Sequence, residues 1–295
     1  MSQAAPALAD PEVFLAADDL ELIGRGLADS VWLGRHGSAL RGSGVEFHSH
    51  RPYERGDDLR LVNWTLYARQ RRLYVRESRK ESRRPVYLLV DATGSMSVAH
   101  GPWAKFRYAA RAAAGLAHIA ARQGDAPALG LLGTRLEVAQ PARTGSSHTA
   151  GICAALAAAS PSGTGDIAAA FADARHFCRQ RGFVVLISDF FDKEDALLAG
   201  LAELRAQGHD VLLMQVLDPI EVELPKRGDY DFVSAEGDAR LKTSTEEIHA
   251  AHARAVAAWR ARLRTAAFAA GLRWESVTTA EPLAPVLRRW VGAEG

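Results

Sequence analysis

Residues 85–97, PVYLLVDATGSMS, contain the pattern that decides the fold. The apolar run up to Val90 is nearly continuous, which is typical of a strand covered on both faces of a parallel sheet. The run ends at Asp91, and two hydroxyl side chains follow at alternate positions, Thr93 and Ser95. The stretch therefore predicts a buried strand with three oxygen-bearing side chains at its carboxyl end.

The same strand pattern recurs later in the chain, in FVVLISDF (183–190) and HDVLLMQVLD (209–218). Ala-rich and Leu-rich segments with helical spacing separate these runs. Strands that alternate with helices of ten or more residues indicate βα units. We therefore expect an α/β fold with a doubly wound, mostly parallel sheet.

Changes in composition divide the chain of 295 residues into three predicted segments. Residues 1–35 form an N-terminal helical segment, with apolar residues at helical spacing over 10–35. Residues 36–84 form a strand-rich appendage, basic and aromatic, which we expect to pack beside the sheet. Residues 85–295 form the α/β domain.

Charge argues against a nucleic-acid binder. The formal net charge is +1, so the chain as a whole is not built for a polyanion. Residues 51–84 hold eleven basic and five acidic residues, a local net charge of +6. Because acids are interleaved with the arginines, we interpret this block as internally paired or as a protein contact and expect no nucleic-acid partner.

The remaining composition favours a cytoplasmic protein. The two cysteines, Cys153 and Cys178, lie in helical patterns and are too few for a disulfide framework. The first residues lack the basic start of a signal peptide, and no apolar run approaches the roughly 20 residues that cross a bilayer. We therefore expect no direct membrane insertion. His36, His48 and His50 lack the partner ligands of a zinc site.

Two strand ends carry the candidate chemistry. In doubly wound sheets, ligands bind outside the carboxyl ends of the strands at a topological switch point. Asp91 and Asp189 each lie at such an end. Together with the hydroxyls of Thr93 and Ser95, they offer hard oxygen ligands for Mg²⁺, with Ca²⁺ or Mn²⁺ as alternatives. The alternative interpretation is that these residues only cap the following helices.

The segment Asp91-Ala92-Thr93-Gly94-Ser95 resembles the Asp-x-Ser/Thr-x-Ser core of the metal-ion-dependent adhesion site in von Willebrand factor A domains. That resemblance implies a von Willebrand factor A-like, Rossmann-like fold. It also implies a second-loop ligand at Thr164, in SGTGDI, and a later strand-end ligand at Asp189. In the family pattern Asp directly follows the Thr, whereas Gly165 intervenes here before Asp166. The second-loop ligand is thus Thr164 or Asp166.

The block from Gly44 to Glu77 is similar to the signature of the bacterial domain-of-unknown-function 58 proteins. The matching residues are Glu46, Phe47, Arg51, Tyr53, Gly56, Asp57, Asp58, Arg60, Asn63, Trp64, Ala68 and Arg69. Asp218, Pro219 and Glu221, in VLDPIEVELP, also fit. The resemblance implies a cytoplasmic, non-enzymatic partner of MoxR-type AAA+ ATPases, in chaperone-like maturation or stress response.

Two functional hypotheses follow. In the first, the chain is a non-enzymatic, metal-dependent protein-binding module that docks an acidic side chain of its partner. In the second, the same cluster is a metal-assisted phosphoester hydrolase. The sequence provides no evident general base for hydrolysis and no P-loop, so we favour the binding module.

Overall fold

The computed structural model describes residues 19–36, 50–53, 62, 64–76, 84–191, 194–235, 237 and 239–292. The chain divides into two compact units, His36–Arg83 and the remainder. In the larger unit, helix α1 (Leu20–His36) covers part of the helix predicted over 10–35. Residues 10–18 of that prediction lie outside the described residues.

The smaller unit contains two short strands and one helix. Strand β1 (His50–Pro52) pairs antiparallel with β2 (Tyr74–Arg76), and helix α2 (Trp64–Gln70) lies between them in sequence. The predicted packing of this segment beside the sheet stays a prediction. Some residues of the predicted signature, and His48, lie outside the described residues: Glu46, Phe47, Gly56, Asp57, Asp58, Arg60 and Asn63.

The strands of the larger unit are β3 (Pro85–Asp91), β4 (Ala126–Leu132), β5 (Leu136–Gln140), β6 (Phe183–Ser188), β7 (Asp210–Leu217), β8 (Asp229–Val233), β9 (Arg240–Ser244) and β10 (Arg273–Thr278). Among the described residues, β8 and β9 form an antiparallel hairpin, and the other six form one sheet in the order β10-β7-β6-β3-β4-β5. Only the β4–β5 pairing within that sheet is antiparallel. The predicted doubly wound, mostly parallel sheet is confirmed.

The helices that follow α2 are α3 (Lys105–Arg122), α4 (Ser146–Ala158), α5 (Ile167–Phe177), α6 (Glu194–Ala206), α7 (Pro219–Val222), α8 (Thr245–Ala269) and α9 (Leu283–Gly292). Helix α3 ends shortly before Gly124, whose φ of +80° suits a residue without a Cβ. Within the described residues, no helix combines the length and apolar character needed to cross a membrane.

Strand β3 shows how the sheet is covered on both faces. Val86, Leu88 and Val90 pack in one core with α1, α3, α4 and α9, whereas Tyr87 and Leu89 pack in a second core with α5, α6 and α8. Leu88 and Leu89 are both 0% exposed, and burying a side chain of this size contributes about 2 kcal/mol. The apolar run of β3 is continuous because both faces of the strand are buried.

Candidate functional site

The end of β3 lies beside the end of β6, at the point where the strand order reverses. These two central strands pair in parallel from Val86↔Phe183 to Val90↔Ile187. Asp91 is the last residue of β3 and Asp189 directly follows β6. Both are buried, with 8% and 2% exposure. The fold thus brings two carboxyl groups to its topological switch point, where open α/β sheets bind ligands.

An open cavity of about 240 Å³ lies at this edge of the sheet. The described residues that line it are Asp91, Thr93, Ser95, Gly165, Asp189, Phe191, Ser234 and Ala235. Four of the five predicted site residues therefore meet at one cavity, and only Thr164 is missing from this lining. Their role as metal ligands stays a prediction.

The second loop differs from the expected pattern. Thr164 is exposed, and its neighbour Gly165 contributes to the cavity lining instead. Asp166 is the N-cap of helix α5, and its Oδ1 accepts a hydrogen bond from Ala169 N at 3.1 Å. The loop thus brings neither of the two proposed side chains to the cavity lining, because the extra residue Gly165 places Asp166 at a helix cap.

The loop after β3 is held by its own polar groups. Asp91 Oδ1 accepts a hydrogen bond from Thr93 N at 2.9 Å, a local Asx-type turn. The Thr93 and Ser95 hydroxyls lie 3.1 Å apart. Residues Gly94–Ser97 form a 3₁₀ turn whose N-cap, Thr93, makes no side-chain capping bond. The helix-cap alternative therefore does not account for the Thr93 hydroxyl.

Ser188 joins the two strand ends. Its Oγ donates to Asp91 Oδ2 at 2.5 Å and accepts from Phe190 N at 2.9 Å. Phe190 has a φ of +61°, a left-handed conformation that is rare for a bulky residue. Phe191 N then donates to Asp189 Oδ1 at 3.1 Å. No sequence motif points to Ser188, although its place next to Asp189 at a strand end is an available signal.

Lys105, the first residue of α3, forms a buried ion pair with the site. Its Nζ donates to Asp189 Oδ2 at 2.7 Å and to Glu221 Oε1 at 2.5 Å. The Lys105 side chain is 0% exposed, and those of Asp189 and Glu221 are 3% and 17% exposed. Lys105 carries no signal of this role in the sequence, since a lysine at the start of an amphipathic helix usually lies on the surface.

Burial also changes the acidity of the site. It raises the pKa of Asp91 to about 6, and the negative charge of Asp189 adds to the increase. The hydrogen bonds from Ser188 and Thr93 act in the opposite direction. Burial likewise raises the pKa of Glu221, and the Lys105 ammonium partly offsets that effect. The edge of the sheet is thus a region where negative charge is poorly solvated.

The donor set suits a hard divalent cation. Hydroxyl and carboxylate oxygens are the ligands that Mg²⁺, Ca²⁺ and Mn²⁺ prefer. Among the described residues, no group of three or more His, Cys, Asp or Glu side chains is placed to hold a metal. A cation at this cavity would therefore depend on the Thr93 and Ser95 hydroxyls as well as on the two aspartates.

Comparison with solved structures supports the fold. An aerotolerance-related membrane protein from Bacteroides fragilis superposes with a TM-score of 0.50 and 19% identity, over 72% of this chain and 98% of that chain. A von Willebrand factor type A protein from Catenulispora acidiphila gives a TM-score of 0.44 and 12% identity, over 74% of this chain and 42% of that chain. The Bacteroides fragilis protein shares the fold of this chain, in agreement with the expected doubly wound, mostly parallel sheet.

Comparison of sequences identifies the family. Uncharacterized proteins of Mycobacterium tuberculosis and Mycobacterium bovis are each 34% identical over 262 residues, which is 85% of this chain and 80% of the relative. The family model described as "Protein of unknown function DUF58" matches residues 49–262. The chain therefore belongs to the DUF58 family, as the block from Gly44 to Glu77 and the Asp218-Pro219 segment had indicated.

Proposed function

We propose that this chain is a non-enzymatic protein-binding module that holds Mg²⁺ at the cavity between β3 and β6. Ca²⁺ and Mn²⁺ are alternative ions. In this proposal the partner is a MoxR-type AAA+ ATPase, as the family resemblance implies, and it docks through an acidic side chain. One observation carries the proposal: two hydroxyls and two carboxyl groups from adjacent strand ends line one open cavity.

The hydroxyl and carboxylate side chains would have different roles at the ion. Thr93 and Ser95 would hold the ion directly, since their hydroxyls lie 3.1 Å apart on one loop. Both oxygens of Asp91 already accept hydrogen bonds, and so do both oxygens of Asp189. Through their remaining lone pairs these carboxylates would orient water around the ion. When bound, Mg²⁺ supplies a coordination position for an external carboxylate.

The phosphoester alternative has weaker support. Metal-assisted hydrolysis needs a side chain that can take a proton from water near the ion. The described residues that line the cavity include no histidine. Both oxygens of Asp189 are already engaged, by the Lys105 ammonium and by Phe191 N. A binding module needs no general base, so it fits these residues better than a hydrolase does.

A pair of matched hydroxyl variants tests the proposal. Ser95 lines the cavity, whereas Ser97, two residues on, is exposed and donates to Gly94 O at 2.7 Å. In a pull-down with the MoxR-type ATPase of the same organism, wild type and Ser97→Ala should capture the ATPase in Mg²⁺. Thr93→Val/Ser95→Ala, or added EDTA, should abolish capture, with circular dichroism confirming the fold.

Three other outcomes would change the proposal. Capture that resists both EDTA and the double variant would exclude a metal-dependent contact. Mg²⁺ binding measured by calorimetry, without capture of the ATPase, would support the metal site and exclude the MoxR-type ATPase as its partner. Mg²⁺-dependent hydrolysis of p-nitrophenyl phosphate that is lost in Thr93→Val/Ser95→Ala would favour the hydrolase.

A further inference from the structure

Lys105 places a positive charge directly beside the candidate cation cavity. Its side chain is fully buried, and its Nζ contacts one carboxylate of the cavity, Asp189, and one outside it, Glu221. The Phe191 ring, which also lines the cavity, lies with its centroid 5.2 Å from Nζ. A buried ammonium needs such partners, because its desolvation is costly.

The position of this ammonium is fixed from outside the cavity. Glu221 Oε2 accepts a hydrogen bond from Asp218 N at 2.8 Å, within the capping box of α7. Asp218 is 0% exposed, and its Oδ2 accepts from His100 N and Gly101 N at 2.8 Å each. Glu221 is thus held by a packed turn, and it holds Lys105 Nζ next to Asp189.

We propose that Lys105 is a positioning residue that keeps the affinity of the isolated site for divalent cations low. This inference rests on the proposed function. The ammonium compensates Asp189 and lowers the negative potential that Asp91 and Asp189 create at the cavity. A partner carboxylate restores negative charge there, so the cation binds firmly only together with the partner. Lys105 thereby makes cation binding dependent on the partner.

The proposal predicts affinity changes of opposite sign. Lys105→Met removes the positive charge and should increase Mg²⁺ affinity by about tenfold or more, since a unit charge within several ångströms of a divalent ion has an effect of that order even at high dielectric. Glu221→Gln removes a negative charge, leaves the ammonium on Asp189 and should lower the affinity. A purely structural role for Lys105 would weaken binding in both variants.

Calorimetric titration of the purified full chain with MgCl₂ measures these changes. Arg122→Met is the matched control, because it also removes one positive charge from helix α3. Arg122 is the last residue of that helix, about 25 Å from Lys105. Its Mg²⁺ affinity should equal that of wild type. Thermal unfolding with and without Mg²⁺ gives a second readout, in which Lys105→Met should gain more stabilisation from the ion than wild type does.

The outcomes separate this inference from the proposed function. If wild type binds Mg²⁺ and Lys105→Met binds it equally or more weakly, the role of Lys105 is wrong and the metal-dependent module stands. If neither binds Mg²⁺ but ATPase capture still requires Mg²⁺, the role of Lys105 alone is wrong; if capture is independent of Mg²⁺ as well, both fail. Should Lys105→Met not fold, Lys105→Gln replaces it, since a neutral amide can still donate to Asp189 or Glu221, and an unchanged or lower Mg²⁺ affinity in that variant would overturn the inference.

Discussion

The ends of β3 and β6 each place a buried aspartate at the same edge of the sheet, but the two aspartates have different partners. Asp91 is held by neutral donors, the Ser188 hydroxyl and the Thr93 amide. Asp189 is held by the Lys105 ammonium and one amide. Neutral donors leave a net charge in place, whereas an ion pair cancels it.

The backbones of the two ends differ as well. After β3 the loop contains Gly94, where any side chain would meet the backbone of other loops. After β6 the turn contains Phe190 in a left-handed conformation, with its ring 5.5 Å from that of Trp274. The β6 end is thus anchored by a side chain and an ion pair, and the β3 end remains the charged, uncompensated half of the site.

The largest effect is expected where the ion pair is broken. Lys105→Met leaves Asp189 buried without its cation, and removing one partner of a buried pair costs about 3–5 kcal/mol of unfolding free energy. Urea denaturation in EDTA measures this loss. The double variant Lys105→Met/Asp189→Asn removes both charges of the fully buried pair and should recover part of the stability, because Glu221, 17% exposed, still lacks its cation. Equal instability of the single and double variants would mean that packing of the lysine stem dominates.

The next largest change in stability is expected when each of the two aspartates is replaced, with the measurements made in metal-free buffer. Asp91→Asn should stabilise the protein at pH 8 by about 3 kcal/mol, from the rise of the Asp91 pKa from 3.8 to about 6. Asp189→Asn should destabilise it, because Lys105 then loses a charged partner. Changes of the same sign in both variants would contradict the contrast between the two strand ends.

The pH dependence of the Asp91→Asn effect follows from the sign of the shift. Well below the ordinary pKa of 3.8, Asp91 is protonated in both the folded and the unfolded chain, so Asp91→Asn adds little stability. As the pH rises through the folded pKa of about 6, the wild-type carboxylate ionises in a buried place and its contribution to stability is lost. Urea denaturation at pH 4, 6 and 8 should therefore show a widening gap between Asp91→Asn and wild type.

A smaller effect is expected from crowding the β3 loop. A Cβ at Gly94 would lie 2.5 Å from Ala235 O and 3.0 Å from Gly163 O, so Gly94→Ala must displace one of these loops. Overpacking of this kind costs about 1–3 kcal/mol. Gly133→Ala is the control, because its Cβ would meet only Arg135 O, at 3.9 Å. Thermal unfolding that shifts equally in both variants would show that the β3 loop has room.

The smallest effect is expected for an ion pair on the surface. Arg122 pairs with Asp29, and the two side chains are 42% and 52% exposed. Arg122→Met should change the unfolding free energy by less than about 1 kcal/mol, because solvent and salt screen such pairs. Denaturation at low and high salt measures it. A loss as large as that of Lys105→Met would remove the distinction between buried and exposed pairs.

The sheet and the β3 loop could be predicted from sequence because their signals are local. A strand buried on both faces has a continuous apolar run, and Asp91, Thr93 and Ser95 follow it within five residues. Asp189 was accessible in the same way, as the residue after another buried run. These side chains then meet because parallel strands end at the same edge of the sheet.

The other contacts of the site depend on how distant elements pack. Ser188 faces Asp91 only through the register of β6 against β3, and Lys105 reaches Glu221 only because α3 and α7 meet at the same edge. The β8–β9 hairpin was also missed. Its strand DYDFV alternates only partly, and residues 234–239 that connect the strands are not a two-residue turn with a recognisable signature.

The sequence distances spanned by the site determine when it can form during synthesis. Ser188 and Asp91 are 97 residues apart, and Lys105 and Glu221 are 116 apart. Contacts between residues so far apart in sequence form slowly, because the entropy cost of closing a large loop comes before any stabilisation from the contact. A nascent chain that has emerged only as far as β4 carries the Thr93 and Ser95 hydroxyls without the β6 end that supplies Ser188 and Asp189. The ribosome must therefore release the chain beyond Ala235, the last residue of the cavity lining, before the cavity is complete. A shorter nascent chain presents no finished site to a partner.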